Sequence, residues 1–585
     1  MKNVILFCII IYVLIIYDHN SWHSVTAGTV QGSEDPYQPA EPGEVIISEI
    51  MADPTPQVYL PACEYLEITS VSVSPVSLEG WYLMSGSSKY YFPSVQIAGN
   101  DYIILCHVAD TPLLSKYGKT AGFKSFPALN DDGKCIVLCD KNGRMIHGVD
   151  YTRQWYGDEL KSGGGWSLEL TDLSYPFFYE GNWRASVAPE GGTPGKINSV
   201  RAFNPDSEFE GIVNTFPADT VLVKVSFSEP VKNLESLSHK IRVNDLTIKS
   251  ITSADPLRRE FIMELNGFIG RNKIYSLSLP GEVTDYAGNN AVRRTFEFGI
   301  PYETIRGDVM FNELLFNPLP GDDDYIEIVN ISDKIIDVSD IYVSSKNTVT
   351  GRTATPVGIS AANRCLLPGE YYAFTTGRSA IVSRYFSSRP DRVFQVSKMP
   401  SMPDTEGTLV LMNRSLVQLD EVYYNEKMHN IFIRGREGIA IEKISPAAIS
   451  SFSGNWHSAS EVSGWGTPGR ENSVFSSAPV SGKVFSLSST RISPDNDGYE
   501  DILIIKFNTE GEGNVTNVTV YDETGMPVKK VAVNFFLGGG GEIFWDGTSD
   551  DGSLLPQGIY IIFATVFNDR GKSQSWKMAC ALLRK

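Results

Sequence analysis

Apolar residues along this chain come in short bursts rather than long runs. Val45-Ile46-Ile47, Tyr65-Leu66-Glu67-Ile68, Trp81-Tyr82-Leu83, Tyr102-Ile103-Ile104-Leu105 and Ile136-Val137-Leu138 are separated by segments rich in Gly, Pro, Asn, Asp and Ser. Bursts of β-branched and aromatic residues between turn formers predict many short strands, not helices. Asn130-Asp131-Asp132-Gly133 and Lys141-Asn142-Gly143 predict tight turns before and after one of these strands.

The bursts also repeat. Gly43-Glu44-Val45-Ile46-Ile47-Ser48-Glu49-Ile50 returns as Gly307-Asp308-Val309-Met310-Phe311-Asn312-Glu313-Leu314, and each copy then reaches a proline, Pro54 or Pro318. Glu64-Tyr65-Leu66-Glu67-Ile68 returns as Asp324-Tyr325-Ile326-Glu327-Ile328. Gly181-Asn182-Trp183 leads to Thr193-Pro194-Gly195, as Gly454-Asn455-Trp456 leads to Thr467-Pro468-Gly469. Repetition of this kind suits a binding or scaffold module better than a single catalytic centre.

The pattern resembles the bacterial lamin-tail domain family, a compact Ig-like β-sandwich. The resemblance rests on the opening strand, the Glu-Tyr-Leu-Glu strand, Leu78-Glu79-Gly80-Trp81 and the Asn-Trp to Thr-Pro-Gly ending. In the second copy Gly80-Trp81 becomes Asp340-Ile341. It implies an extracytoplasmic module used in adhesion or assembly, with no defined catalytic residues. Between the copies, Phe227-Ser228-Glu229-Pro230-Val231 and Asp285-Tyr286-Ala287-Gly288-Asn289 resemble the bacterial Ig-like domains that space neighbours apart. Near the end, Trp545-Asp546-Gly547, Asp550-Asp551-Gly552 and Pro556-Gln557-Gly558-Ile559-Tyr560 resemble the flagellar-hook-capping-type Ig-like domain that ends many secreted Bacteroidota proteins. Such terminal domains can serve as sorting signals, although Lys577 to Lys585 offers no clean sorting motif.

The expected fold class is therefore all-β, with tandem Ig-like β-sandwich domains arranged as beads on a string. A chain of 585 residues is too long for one core and predicts about four domains. The expected order is a signal peptide (1–27), a tether (28–42), a first lamin-tail domain (43–197) and a bacterial Ig-like domain (198–303). A second lamin-tail domain (304–470), a linker (471–487) and the hook-capping-type domain (488–585) follow. Val4 to Tyr17 is apolar and too short for a comfortable bilayer span, which fits a signal-peptide core cut after Val25-Thr26-Ala27; a retained anchor is the alternative. Export to the outer membrane, cell surface or extracellular space is expected, with the periplasm as the other compartment.

Net charge of -19 and the lack of a basic stripe argue against nucleic acid and anionic membrane surfaces. Cys8 falls in the apolar leader; Cys63, Cys106, Cys135, Cys139, Cys365 and Cys580 are too sparse for a disulfide framework. The four in the first module allow one or two bonds or free thiols. With no CxxC pair and scattered histidines, zinc is not expected.

Candidate chemistry is thin. Asp495, Asp497, Glu500 and Asp501 cluster hard oxygen ligands around Gly498, so calcium is the one cofactor suggested; an Asx-bonded turn is the plain alternative. Tyr151, Trp155 and Trp166 are candidates for an aromatic ligand platform, and Trp183 and Trp456 read as core plugs. The repeated acids Glu49, Glu67, Glu313 and Glu327 could do glycosidic acid–base work, but strand positions between apolar neighbours favour hydrogen bonds that fix the sandwich. No HExxH, G-x-S-x-G, phosphate loop or dinucleotide fingerprint occurs. The expected protein is a non-catalytic scaffold or adhesin whose partners are envelope proteins or glycans, met by sandwich-end loops. A carbohydrate-binding or polysaccharide-processing accessory is the alternative, and a hydrolase comes third.

Overall fold

In the computed structural model, residues 39–386, 389–429, 433, 435–475, 484–494, 500, 502–509, 514–537, 540–568 and 571–583 are described. The chain is all-β, a tandem of Ig-like sandwiches. The expected leader, most of the expected tether and Asp495, Asp497 and Asp501 lie outside the described residues.

Each copy of the repeat pairs a six-stranded sheet with a four-stranded one. In the first, the sheet runs Trp183–Ala185, Leu168–Leu170, Val45–Met51, Tyr65–Ser70, Tyr102–His107 and Thr120–Phe123. In the second, Trp456–Ser458, Ile441–Lys443, Val309–Leu315, Tyr325–Asn330, Tyr371–Thr375 and Val393–Gln395 follow the same order. Even the parallel outer pair is kept, Tyr102–His107 with Thr120–Phe123 and Tyr371–Thr375 with Val393–Gln395. The first strand of each copy is buried along its whole length, because one face meets the sandwich core and the other is covered by the chain's own return. Both first strands carry a bulge at one residue, Ser48 and Asn312. That bulge shifts the pairing so that Glu49 faces Glu67, and Glu313 faces Glu327, across the ladder.

Trp183 and Trp456 are buried in the two cores, as plugs should be. The intervening module folds one eight-stranded sheet around Phe209, Val225, Phe261, Leu277 and Phe298. Its turn at Gly288 (φ 96°) needs the left-handed region that glycine allows. The terminal module stacks a three-stranded on a five-stranded sheet around Trp545, whose indole N–H donates to Thr548 O at 3.0 Å.

Successive beads share packing. Phe177 of the first copy stacks on Tyr286 at 4.2 Å, and Arg259 pairs with Asp150 at 2.9 Å. Ile335, Cys365 and Leu367 of the second copy enter the core of the intervening module. His457 stacks on Phe536 of the terminal module at 4.9 Å. Three expected boundaries move. Ala40 is buried and Arg144 holds Glu41 at 3.1 Å, so the end of the tether is docked. Asn198-Ser199-Val200 and Asn472-Ser473-Val474, expected as the start of a new module and of a linker, belong to the repeats themselves. All six described cysteines are free thiols.

Candidate functional site

The repeated acids meet at one place in each copy. Register puts Glu49 opposite both Glu67 and Glu169, and Glu313 opposite both Glu327 and Glu442, so three carboxylates lie side by side across three central strands. All six are 0% exposed. Like charges directly opposite destabilise a sheet, so the row stands only if donors converge on it.

The donors come from the Thr-Pro-Gly ending. Thr193 N donates to Glu49 Oε1 at 2.8 Å, Thr193 Oγ1 to Glu169 Oε1 at 3.0 Å and Gly195 N to Glu67 Oε2 at 2.5 Å. Tyr65 and Ser167 hydroxyls each reach Glu49 Oε1 at 2.6 Å. Ser199 Oγ and Val200 N close on Glu169 Oε2 at 2.8 and 3.1 Å. The second copy repeats this: Thr467 N to Glu313 at 2.8 Å, Thr467 Oγ1 to Glu442 at 2.8 Å, Gly469 N to Glu327 at 2.6 Å, Ser473 and Val474 to Glu442. Gly195 (φ 76°) and Gly469 (φ 86°) sit in the left-handed region with backbone too close for a Cβ. Asn198 and Asn472 each donate to the bulge residue's carbonyl and to the strand beside it.

Burial, then mutual repulsion, pushes Glu49, Glu67 and Glu313 upward from the ordinary carboxylate range; burial also raises Glu327 and Glu442. The rows therefore hold protons toward neutral pH. A carboxyl sealed under its own chain has no path to substrate, so the arrangement is a clasp that closes the module. The expectation of structural hydrogen bonds from these acids matches this geometry. Sequence reading missed Glu169, Glu442 and the Asn-Ser-Val after each Thr-Pro-Gly; the shared Asn-Ser-Val was the signal available.

A third acidic group lies in the intervening module. Asp206, Glu229 and Asp285 bring carboxylate oxygens within 4.8 Å of one another, a hard-oxygen set of the type calcium accepts. Burial and neighbouring carboxylates push Glu229 to about 8 and Asp206 to about 6. Asn289 Nδ2 already donates to Asp285 at 2.9 Å and Asp206 at 3.3 Å, and Asp285 accepts Gly288 N and Asn289 N to form the turn. Thus the Asp-x-x-Gly-Asn hairpin explains much of the cluster without an ion.

Of the expected calcium ligands, only Glu500 is among the described residues. Its carboxylate is taken by Arg491 Nε at 2.8 Å and Ser489 Oγ at 3.1 Å. The aromatic candidates do not form one open platform. Tyr151 is buried with its hydroxyl on Asn130 O at 2.9 Å. Trp155 stacks on Trp183 at 6.3 Å, and Lys161 lies 4.6 Å over the half-buried Trp166 ring. Core packing thus occupies one face of Trp155, and a cation lies over one face of Trp166.

A family model, the Lamin Tail Domain, matches residues 38–153. No curated protein matches the chain. Among solved structures, the N-terminal part of the bacterial S-layer protein SbsC is 18% identical, covering 27% of this chain and 43% of its own length, with a TM-score of 0.15. The chain thus spans less than half of that S-layer fragment. PorZ, a surface component of the type-IX secretion system of Porphyromonas gingivalis, is 10% identical over 90% of this chain and 83% of its own, with a TM-score of 0.16. Latent PorU from the same organism is 12% identical over 77% and 40%, with a TM-score of 0.15. Overlaps this loose carry no argument about function. No helix among the described residues is long and apolar enough to cross a membrane.

Proposed function

We propose that this is an exported, non-catalytic scaffold or adhesion protein of the Bacteroidota type, displayed at the cell envelope and binding protein or glycan partners through sandwich-end loops. One observation carries the reading: the most densely arranged acids in the repeats, the two glutamate rows, are spent on closing the modules. The stacked contacts Phe177–Tyr286 and His457–Phe536 favour a stiff spacer over freely jointed beads. Two lamin-tail copies, an Ig-like spacer and a hook-capping-type end are the domain set this reading uses. The accessory role in polysaccharide handling stays second, since Tyr151 and Trp155 are already packed.

Protease accessibility of the C-terminally detected protein in intact source cells, against lysed cells, tests it. Digestion in intact cells supports surface display. Protection until lysis places the chain inside the envelope and removes the surface-adhesin reading.

A further inference from the structure

The intervening module and the second copy enclose a cleft of about 460 Å³, within the size range of small-molecule sites. In a chain of net charge -19, four arginines line it: Arg293, Arg364, Arg389 and Arg392. Three of them have carboxylates. Arg392 pairs with Glu370, Arg389 with Asp391 at 3.3 Å, and Arg293 with Asp391 and Glu210 at 3.4 Å each. Arg364 makes no ion pair among the described residues, and Glu297, the remaining acid of the lining, is exposed.

Arg364 is nonetheless held in place. Its Nη1 donates to Val213 O at 3.0 Å, and its guanidinium lies 4.4 Å over the Phe394 ring. Phe394 in turn stacks on Tyr372 at 4.1 Å and 11°. A guanidinium carries five N–H donors in a rigid fork that matches a carboxylate, and one protein bond leaves most of them unspent. Burial, with Arg392 and Arg293 nearby, works against its charge and lowers its pKa, which is what an incoming anion would relieve. Ser276 and Thr295 add hydroxyls to the lining, suited to a polyhydroxylated body rather than an apolar one.

We propose that this cleft binds a carboxylate-bearing sugar, with the Arg364 fork taking the carboxylate through paired N–H···O bonds. The assignment deepens the glycan branch of the functional reading. Because it is tested on purified protein, its failure is separate from failure of surface display.

The full chain is titrated calorimetrically with glucuronate and, in parallel, with glucose. Saturable glucuronate binding that weakens with salt, without glucose binding, is the expected result. Arg364→Gln should lower affinity at least about tenfold, since hydrogen bonds to charged groups are worth that much. Arg364 also bonds the backbone, so Ser276→Tyr, which fills the cleft and keeps the arginine, is made as well and should abolish binding. The proposal falls if the unaltered chain shows no saturable glucuronate binding, if both variants bind it unchanged, or if glucose binds equally. A short peptide with a free C-terminal carboxylate that binds more tightly than glucuronate overturns the sugar assignment.

Discussion

The two copies of the repeat build the same clasp on different foundations. In the first, the backbone N–H of Ile47 donates to His147 Nδ1 at 3.1 Å, and His147 Nε2 meets Pro176 O at 2.9 Å. At the matching point of the second, Phe311 N donates to Asp420 Oδ2 at 2.9 Å. Asp420 also accepts from Ser450, and Ser450 accepts from the fully buried Lys443 at 3.1 Å. A neutral imidazole and an acid–hydroxyl–ammonium chain therefore satisfy one and the same orphan donor. The glutamate rows stayed fixed while their supports were exchanged, so the row, not its surroundings, closes the fold.

The sharpest break of the comparison removes the shared part. Glu49→Ala leaves Thr193 N, Tyr65 Oη and Ser167 Oγ without their buried acceptor, and Glu313→Ala strands Thr467 N and Tyr325 Oη. Each should cost roughly 3–5 kcal/mol in urea unfolding, in one copy only.

A smaller effect comes from pH. Burial raises Glu49 from 4.5 to about 7 and Glu327 from 4.5 to about 8. Between those values the folded state binds more protons than the unfolded one. Stability is therefore fully present below about 4.5 and declines as pH rises through about 7 to 8, by a few kcal/mol in both copies. Glu49→Gln and Glu327→Gln should flatten that slope in urea midpoints collected across pH; an unchanged slope would rule out the buried acids as its source.

Lys443 then separates the copies. Burial lowers it from 10.5 to about 8, so the second copy alone should gain stability as pH climbs from about 8 toward 10.5. Lys443→Met should erase that limb, and at pH 7 it should cost roughly 1–3 kcal/mol, because Pro446 O and Ser450 Oγ lose their donor and Asp420 its nearby positive charge. Differential scanning across this range reads both.

The smallest difference is at the plugs. Trp456 Nε1 donates to Ser450 O at 2.8 Å, whereas Trp183 Nε1 has no hydrogen-bond partner among the described residues. Trp456→Phe should therefore cost about 1 kcal/mol more than Trp183→Phe. Equal losses in thermal unfolding would mean that packing alone sets both.

Strand positions and the repeat were legible because alternation and turn formers are local signals. Glu49, Glu67, Glu313 and Glu327 stood out because they sit in matched bursts. Glu169 and Glu442 did not, since each lies mid-strand in only three residues, Leu168–Leu170 and Ile441–Lys443, with little pattern to compare. Spacing between matched acids also drifts between copies, hiding the correspondence from a fixed offset. Arg364 was invisible for another reason: its cleft is made by two modules, and its partners Val213 and Phe394 come from distant parts of the chain. Composition likewise marked residues near 40 and 472 as loose, though Ala40 and Asn472 are buried.

The clasp has a consequence in time. Its closing bonds join residues 144 apart in the first copy and 154 apart in the second. Contacts so distant in sequence are slow to form and come after the local hairpins. Emerging head-first, each copy keeps its acid row open until Thr-Pro-Gly and Asn-Ser-Val arrive, so the last stretch of each copy acts as the latch that commits it to the native state.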